Sequence, residues 1–111
     1  RIVVIHYWAS WSDPSTQDMD LLKRLALKYG DKLAVVGVNL DADRNAAMQL
    51  VQNSGFSWPH LYSPGGMDSS LANQLGIVSV PMIFLVGADG KVVKTSVHSA
   101  ELDGLIAEIL K

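Results

Sequence analysis

Two short runs of apolar, β-branched residues flank one amphipathic helical segment, and this arrangement restricts the fold more than any other feature. The first run is Ile2–Ile5, followed by Tyr7 and Trp8, and the second is Leu33–Leu40. Such runs are typical of strands buried on both faces. A helix between two buried strands predicts a βαβ unit, whose right-handed crossover makes the strands parallel.

The helix between these strands has a predicted start and stop. Asp13 and Pro14 favour a start, because an aspartate side chain accepts from free N–H groups and a proline at the first helical position loses no hydrogen bond. Gly30 is expected to end the helix. The apolar residues at helical spacing are Met19, Leu21, Leu22, Leu25, Ala26 and Tyr29.

The middle of the chain predicts shorter elements. A helical pattern follows Asp41 and stops at Gly55. Its apolar face consists of Ala47, Leu50 and Val51. Residues 56–62 predict an irregular or short extended segment, because Pro59 interrupts them. After a loop at 64–66, Asp68 or Ser69 is expected to cap a short helix that ends at Gly76.

The last third of the chain predicts a hairpin and a closing helix. Met82–Val86 is an apolar strand, and Asp89-Gly90 suits a tight turn because both positions tolerate positive φ. Residues 91–97 would then return antiparallel. Ser99 is expected to cap the final helix. The apolar positions of that helix are Leu102, Leu105, Ile106 and Ile109.

Composition excludes several classes of function. Nine basic and eleven acidic residues give a net charge of -2, so the dense positive surface of a nucleic-acid-binding protein is missing. The apolar opening is far shorter than the roughly 20 residues of a membrane-spanning helix. With 111 residues, the chain predicts one domain covering 1–111. Because it begins at Arg1 without a Met or a signal peptide, we expect this domain to be excised from a longer chain.

The segment from Tyr7 to Ser15, read with the element order, resembles the thioredoxin fold and more closely the TlpA/ResA-like thiol-disulfide oxidoreductases. That family carries an aromatic-Trp-Ala segment that leads into Trp-Cys-x-x-Cys at the start of the first helix. The matching residues here are Trp11, Ser12, Asp13, Pro14 and Ser15. Residues 38–41, 75–81 and 87–93 also resemble the family pattern. Both cysteines of the motif are serine, and the chain contains no cysteine at all.

The resemblance implies an α/β, thioredoxin-like three-layer fold. Its mixed sheet would have parallel central strands and an antiparallel C-terminal hairpin, with helices on both faces. The resemblance also implies an extracytoplasmic address, either periplasmic or tethered to a membrane.

The chemistry of a thiol pair at this position does not survive its replacement by serine. The positive end of a helix stabilises a thiolate on its first residue, and a second thiol three positions on can resolve a mixed disulfide. A hydroxyl forms no disulfide and is a weak nucleophile without an activating base. A structural alternative also explains Ser12–Ser15, because Ser-Asp-Pro-Ser is a good helix-capping sequence.

Pro81 matches the position that holds a cis proline opposite the active-site loop in thioredoxin-like proteins. The resemblance implies that the Val80 backbone faces outward beside Trp11, where an extended peptide could pair with it. Alternatively, Pro81 only begins the strand and keeps its missing N–H away from the ladder.

Departures from the family pattern favour natural loss of the thiols over deliberate replacement. Relatives commonly carry a basic residue after the second cysteine, a proline further along the helix and a threonine after the cis proline. Thr16, Asp20 and Met82 stand at these positions here. We therefore predict a redox-silent module, without a cofactor, that binds a protein or extended peptide at Trp11–Ser15 and Val80–Pro81 or serves as a structural domain. The alternative is an oxidoreductase whose cysteines were changed to serine.

Four weaker signals have structural alternatives. His6 lies where thioredoxins often place a buried acid and could polarise Ser15, but no orienting acid or oxyanion hole can be named. Asp41, Asp43 and Asn45 resemble the first ligands of a calcium loop, although Ala46 and Gln52 replace its glycine and glutamate. His60 and His98 have no cysteine partners for a metal site. For Trp58 and Tyr62, a place in the core is preferred to a ligand-facing pair.

Overall fold

The computed structural model describes residues 1–41, 43–54, 58–62 and 80–110. Five strands and three α-helices lie in these ranges. The strands are β1 (Ile2–Trp8), β2 (Leu33–Asn39), β3 (His60–Tyr62), β4 (Met82–Val86) and β5 (Val92–Lys94). The helices are α1 (Asp13–Tyr29), α2 (Arg44–Ser54) and α3 (Ser99–Ile109), and a 3-10 turn at Gly30–Lys32 joins α1 to β2.

The strands form one mixed sheet in the order β3-β2-β1-β4-β5. β1 and β2 are parallel, with Ile2 opposite Leu33 and Trp8 opposite Asn39. β3 continues the parallel part beside β2, whereas β4 runs antiparallel to β1 and β5 antiparallel to β4. The predicted βαβ unit, the parallel centre and the antiparallel hairpin edge are therefore confirmed.

The main core lies between one face of this sheet and the helices α1 and α3. Alternate residues of the strands supply the sheet side, and the apolar stripes of the two helices supply the other. Its buried members are Ile2, Val4, Leu22, Leu25, Leu33, Val35, Trp58, Ile83, Leu85, Val97, Leu102 and Ile106. A second cluster joins α2 to β1 and α1 through Trp8, Met19 and Ala47. The predicted place of Trp58 in the core is confirmed.

A third apolar cluster contains Tyr7, Val38 and Leu40, with the rings of Tyr7 and Phe84 edge to face at 5.1 Å. The partly buried side chains around it are those of Ile5, Val80, Met82 and Phe84. Gly55, the loop at 64–66 and the short helix predicted from Asp68 or Ser69 to Gly76 lie outside the described residues.

Two predicted helix boundaries need correction. The N-cap of α1 is Ser12, not Asp13, because the Ser12 side chain accepts from the Ser15 N–H. The N-cap of α3 is His98, one residue before the predicted Ser99, and its backbone N–H donates to the Glu101 carboxylate at 3.1 Å. At the other end of α1, Gly30 follows the last helical residue at φ +54°, as predicted.

The hairpin turn also differs from the prediction of a two-residue Asp89-Gly90 turn. The Gly90 N–H donates to the Gly87 carbonyl at 3.0 Å, which places Ala88 and Asp89 at the centre of the turn. Gly90 then takes φ +82°, a value that glycine adopts without steric cost. The returning strand pairs over only Val92–Lys94, which is shorter than the predicted 91–97.

Candidate functional site

Ser12 lies where the chain leaves β1 and enters α1. Its N–H donates to the Ala9 carbonyl at 3.2 Å, and its hydroxyl oxygen accepts from the Ser15 N–H at 3.3 Å. The hydroxyl also lies 3.5 Å from the Val80 carbonyl oxygen, at the outer limit for a hydrogen bond. Ser12 is buried, so it caps the helix and also joins the start of α1 to the residue before Pro81.

Ser15 lies one helical turn further on and differs from Ser12 in its surroundings. Its side chain is completely buried, and among the described residues its hydroxyl has no hydrogen-bond partner. A buried hydroxyl without a partner costs free energy relative to an apolar group of the same shape. The capping interpretation therefore applies to Ser12 and not to the side chain of Ser15.

The side chain of Trp11, which directly precedes Ser12, is 64% exposed to solvent. We call Trp11–Ser15 the serine loop. The Val80–Pro81 peptide bond is cis, and both residues are partly buried. The contact of Ser12 with Val80 brings the serine loop and the Val80–Pro81 segment together.

A groove of about 390 Å³ lies beside the serine loop, between the start of α1, Pro81 and the start of α3. We call it the α1–α3 groove. Its lining residues are Pro14, Asp18, Pro81, Val97, His98, Ser99 and Ala100. Burial raises the pKa of the Asp18 carboxyl, and a hydrogen bond with the Ser99 side chain acts in the opposite direction. The sequence does not indicate Asp18 as a site residue, because only the tertiary contact of α1 with α3 makes it part of a groove.

A buried polar network fixes the start of the serine loop. The Asp41 carboxylate accepts from the Ser10 N–H at 2.9 Å, the Ser10 hydroxyl at 3.0 Å and the Asn39 side-chain amide at 2.7 Å. The Asn39 side-chain oxygen in turn accepts from the Asp41 N–H at 3.0 Å. We call these three residues the Asp41 network. It connects the ends of the parallel strands β1 and β2 directly before Trp11.

This network changes the interpretation of the acidic residues after β2. Asp41 is buried, and its carboxylate accepts hydrogen bonds from Ser10 and Asn39 instead of serving as a calcium ligand. The Asp43 carboxylate accepts from the Asn45 N–H at 2.9 Å, so Asp43 caps the start of α2. Within the described residues, no group of three or more His, Cys, Asp or Glu side chains could hold a metal ion.

His6 is fully buried on the same sheet face as Trp8. Burial, with a smaller contribution from nearby His60, lowers its pKa to about 4, so the imidazole is neutral near pH 7. Both of its ring nitrogens and the Ser15 hydroxyl have no hydrogen-bond partner among the described residues. A Ser15–His6 pair of the kind used in hydrolysis is therefore not formed.

The other candidate side chains lie in different places. His60 sits on the edge strand β3 against the rings of Trp8 and Trp58, with ring centroids 5.7 Å apart in both pairs. His98 lies at the start of α3, so His60 and His98 are on separate elements. Tyr62 is partly buried, with the Arg44 guanidinium 5.5 Å from its ring centroid.

Comparisons with known proteins agree with this architecture. A family model described as thioredoxin-like matches residues 1–92. Thiol-disulfide oxidoreductase ResA of Bacillus thuringiensis subsp. konkukian is 29% identical over 94 residues, which cover 83% of this chain and 52% of the relative. The solved structure of a thiol-disulfide oxidoreductase from Bacteroides fragilis superposes with a TM-score of 0.84 at 30% identity, covering 97% of this chain and 80% of that one.

The chain therefore belongs to the thioredoxin-like family and is homologous to the ResA/TlpA-like thiol-disulfide oxidoreductases. Its predicted thioredoxin-like α/β fold is confirmed. A secreted Mycobacterium tuberculosis disulfide oxidoreductase shares the fold alone, with a TM-score of 0.77 at 18% identity over 97% of this chain and 81% of that one. The match to the ResA relative spans about half of that protein's length. None of the described helices is long and apolar enough to cross a membrane.

Proposed function

We propose that this domain is a redox-silent thioredoxin-like module that binds an extended peptide or a protein partner. The binding surface consists of the serine loop together with Val80 and Pro81. The observation that carries the proposal is an exposed Trp11 in a loop that packs against the cis Val80–Pro81 segment, in a chain without cysteine. The alternative within this proposal is that the redox-silent domain has a purely structural role in a larger protein.

The absence of cysteine removes the redox step of the relatives. Thiol–disulfide exchange begins with the attack of a thiolate on a disulfide sulfur, and both electrons of the new bond come from sulfur. The chain supplies only hydroxyls at positions 12 and 15. The Ser12 hydroxyl is used in helix capping, and the Ser15 hydroxyl has no base hydrogen-bonded to it among the described residues.

The binding role is supported by the exposure of Trp11. An indole ring that stays 64% exposed contributes little to the core. Tryptophan is enriched among the residues that contribute most to binding energy at protein interfaces. The cis proline segment beside it is the place where the family resemblance implies strand pairing with a peptide.

Panning a random library of linear 12-residue peptides against the immobilised domain tests this proposal. We expect enriched peptides whose affinity falls about tenfold or more when Trp11→Ala is introduced, as for a residue that dominates an interface. Leu27→Ala serves as the control, because Leu27 is also an exposed apolar residue of the chain but lies near the other end of α1. Failure to enrich any peptide whose binding depends on Trp11 would leave only the structural role.

The second candidate is a thiol-disulfide oxidoreductase whose cysteines at positions 12 and 15 were changed to serine. It is favoured by the placement of the two serines, one at the helix N-cap and one a single turn later. The Ser12→Cys/Ser15→Cys variant tests it in an insulin reduction assay with dithiothreitol. We expect little activity above the unmodified chain. Vigorous reduction would contradict a long-standing loss of function and favour the enzyme.

We further propose that residues 1–111 act as one domain and that the protein works outside the cytoplasm. The family model and the sheet topology support the first point, since both run through most of the chain. The second rests on the family resemblance and on the secreted relative that shares the fold. Fractionation of cells that produce the full-length protein would test the address.

A further inference from the structure

The α1–α3 groove contains a carboxylate that forms no ion pair with a basic residue of the described part of the chain. Asp18 lines the groove and is partly buried, and its carboxylate accepts a hydrogen bond from the Ser99 side chain. Burial without a cation disfavours the ionised form, which agrees with the direction of its pKa shift. A hydroxyl satisfies one lone pair of a carboxylate but does not neutralise its charge.

The other charged groups around the groove do not supply that cation. None of the described residues that line it is a lysine or an arginine, and its one histidine, His98, forms no ion pair with Asp18. Lys94, the basic residue bonded to the first turn of α3, pairs with Glu101 at 3.2 Å. The positive end of α1 would favour an anion, but the exposed Asp13 in its first turn already offsets it.

The walls of the groove are partly apolar. Pro14 of the serine loop and Pro81 line one part of it, and Val97 and Ala100 line the part near α3. Trp11, at the N-terminal end of the serine loop, is exposed but does not line the groove. An occupant that matches these walls has an apolar stretch and one positive charge near Asp18.

We propose that the partner of this surface is an extended peptide segment that carries a lysine or an arginine, and that this cation pairs with the Asp18 carboxylate. The inference rests on the proposed peptide-binding function and specifies the chemistry of the peptide. Attraction between opposite charges in a partly desolvated groove strengthens binding, and repulsion suppresses acidic segments.

The first test is panning of the random library of 12-residue peptides at pH 8 in low salt. The peptides enriched on the unmodified domain should contain lysine and arginine well above their frequency in the starting library. Panning on the Asp18→Asn variant should remove that excess, because asparagine keeps the shape and a hydrogen bond with Ser99 but has no charge. Asp20→Asn is the matched control, since Asp20 is exposed on the same helix and does not line the groove.

The second test measures the affinity of one enriched peptide by fluorescence anisotropy. We expect Asp18→Asn to weaken binding by about fivefold or more, in the range measured for charge pairs at interfaces, and replacement of the peptide lysine by glutamine to do the same. The two changes together should cost little more than either alone. Asp20→Asn should leave the affinity within about twofold, since screened surface charges contribute little.

The outcomes separate the two proposals. Enrichment of Trp11-dependent peptides without a basic bias, or a bias that survives Asp18→Asn, would overturn the inference about charge and leave peptide binding intact. Enrichment of no Trp11-dependent peptide would overturn both.

Discussion

At the scale of single residues, the two serines of the serine loop show how identical side chains acquire opposite effects. Ser12 precedes the first helical residue, where its hydroxyl accepts from the Ser15 N–H. The side chain of Ser15 points into a fully buried environment and finds no partner among the described residues. The sequence predicts a capping role for the whole Ser-Asp-Pro-Ser segment, since short polar residues favour helix starts. It does not distinguish the two hydroxyls, because their surroundings come from residues distant in the chain.

We expect alanine to lower the free energy of unfolding at position 12 but not at position 15. Ser12→Ala should lower it by about 1 kcal/mol through loss of the N-cap. Ser15→Ala should leave it unchanged or raise it by up to about 1 kcal/mol, since it removes a buried hydroxyl without a partner. Urea denaturation followed by circular dichroism measures both. Equal losses in the two variants would show that Ser15 has a hydrogen bond in solution.

At the scale of secondary-structure elements, the His60 side chain of β3 closely approaches the backbone of β2 because residue 37 has no side chain. A Cβ atom at Gly37 would lie 2.5 Å from Nδ1 of His60 and 3.2 Å from Nε1 of Trp8. The glycine therefore leaves room for the His60 ring between β3 and the core face of the sheet. Most strands and helices were predictable from apolar periodicity, which is local. This approach, the Asp41 network and the hairpin turn were not, because each depends on contacts or backbone angles that periodicity does not encode.

Two glycine substitutions test the need for space at this point. Gly37→Ala should lower the free energy of unfolding by about 1–3 kcal/mol, because the His60 and Trp8 rings must shift. Gly104→Ala is the control, since Gly104 lies in α3 with no atom within 4 Å of the new Cβ. It should raise stability by about 0.5–1 kcal/mol through helix propensity. A Gly37→Ala variant as stable as the unmodified chain in thermal or urea unfolding would contradict the close approach.

At the scale of the whole molecule, the buried histidine couples folding to pH. In the folded state the pKa of His6 is about 4, against an ordinary value of 6.5, because the core does not solvate an imidazolium. Unfolding allows the imidazole to take up a proton at the ordinary value. The stabilising effect of the neutral form is complete above about pH 6.5 and is lost as the pH falls toward 4. Burial also lowers the pKa of His60, which acts in the same direction.

The free energy of unfolding should therefore fall by about 2 kcal/mol between pH 7.5 and pH 5 through His6. In the His6→Leu variant most of this decrease should disappear, since leucine is apolar and does not titrate. Urea denaturation of both proteins at the two pH values measures the difference. If the two proteins show the same dependence, the residue at position 6 is exposed to water or protonated in the folded protein.

The Asp41 network gives this architecture an evolutionary consequence. It anchors the loop ahead of Trp11 through Ser10, Asn39 and Asp41, none of which is a position where sulfur chemistry would occur. An exchange of sulfur for oxygen at positions 12 and 15 therefore leaves the hydrogen bonds of the Asp41 network in place. Under the proposed function, an anchor of this kind allows electron transfer to be lost at positions 12 and 15 while the surface of the serine loop is kept.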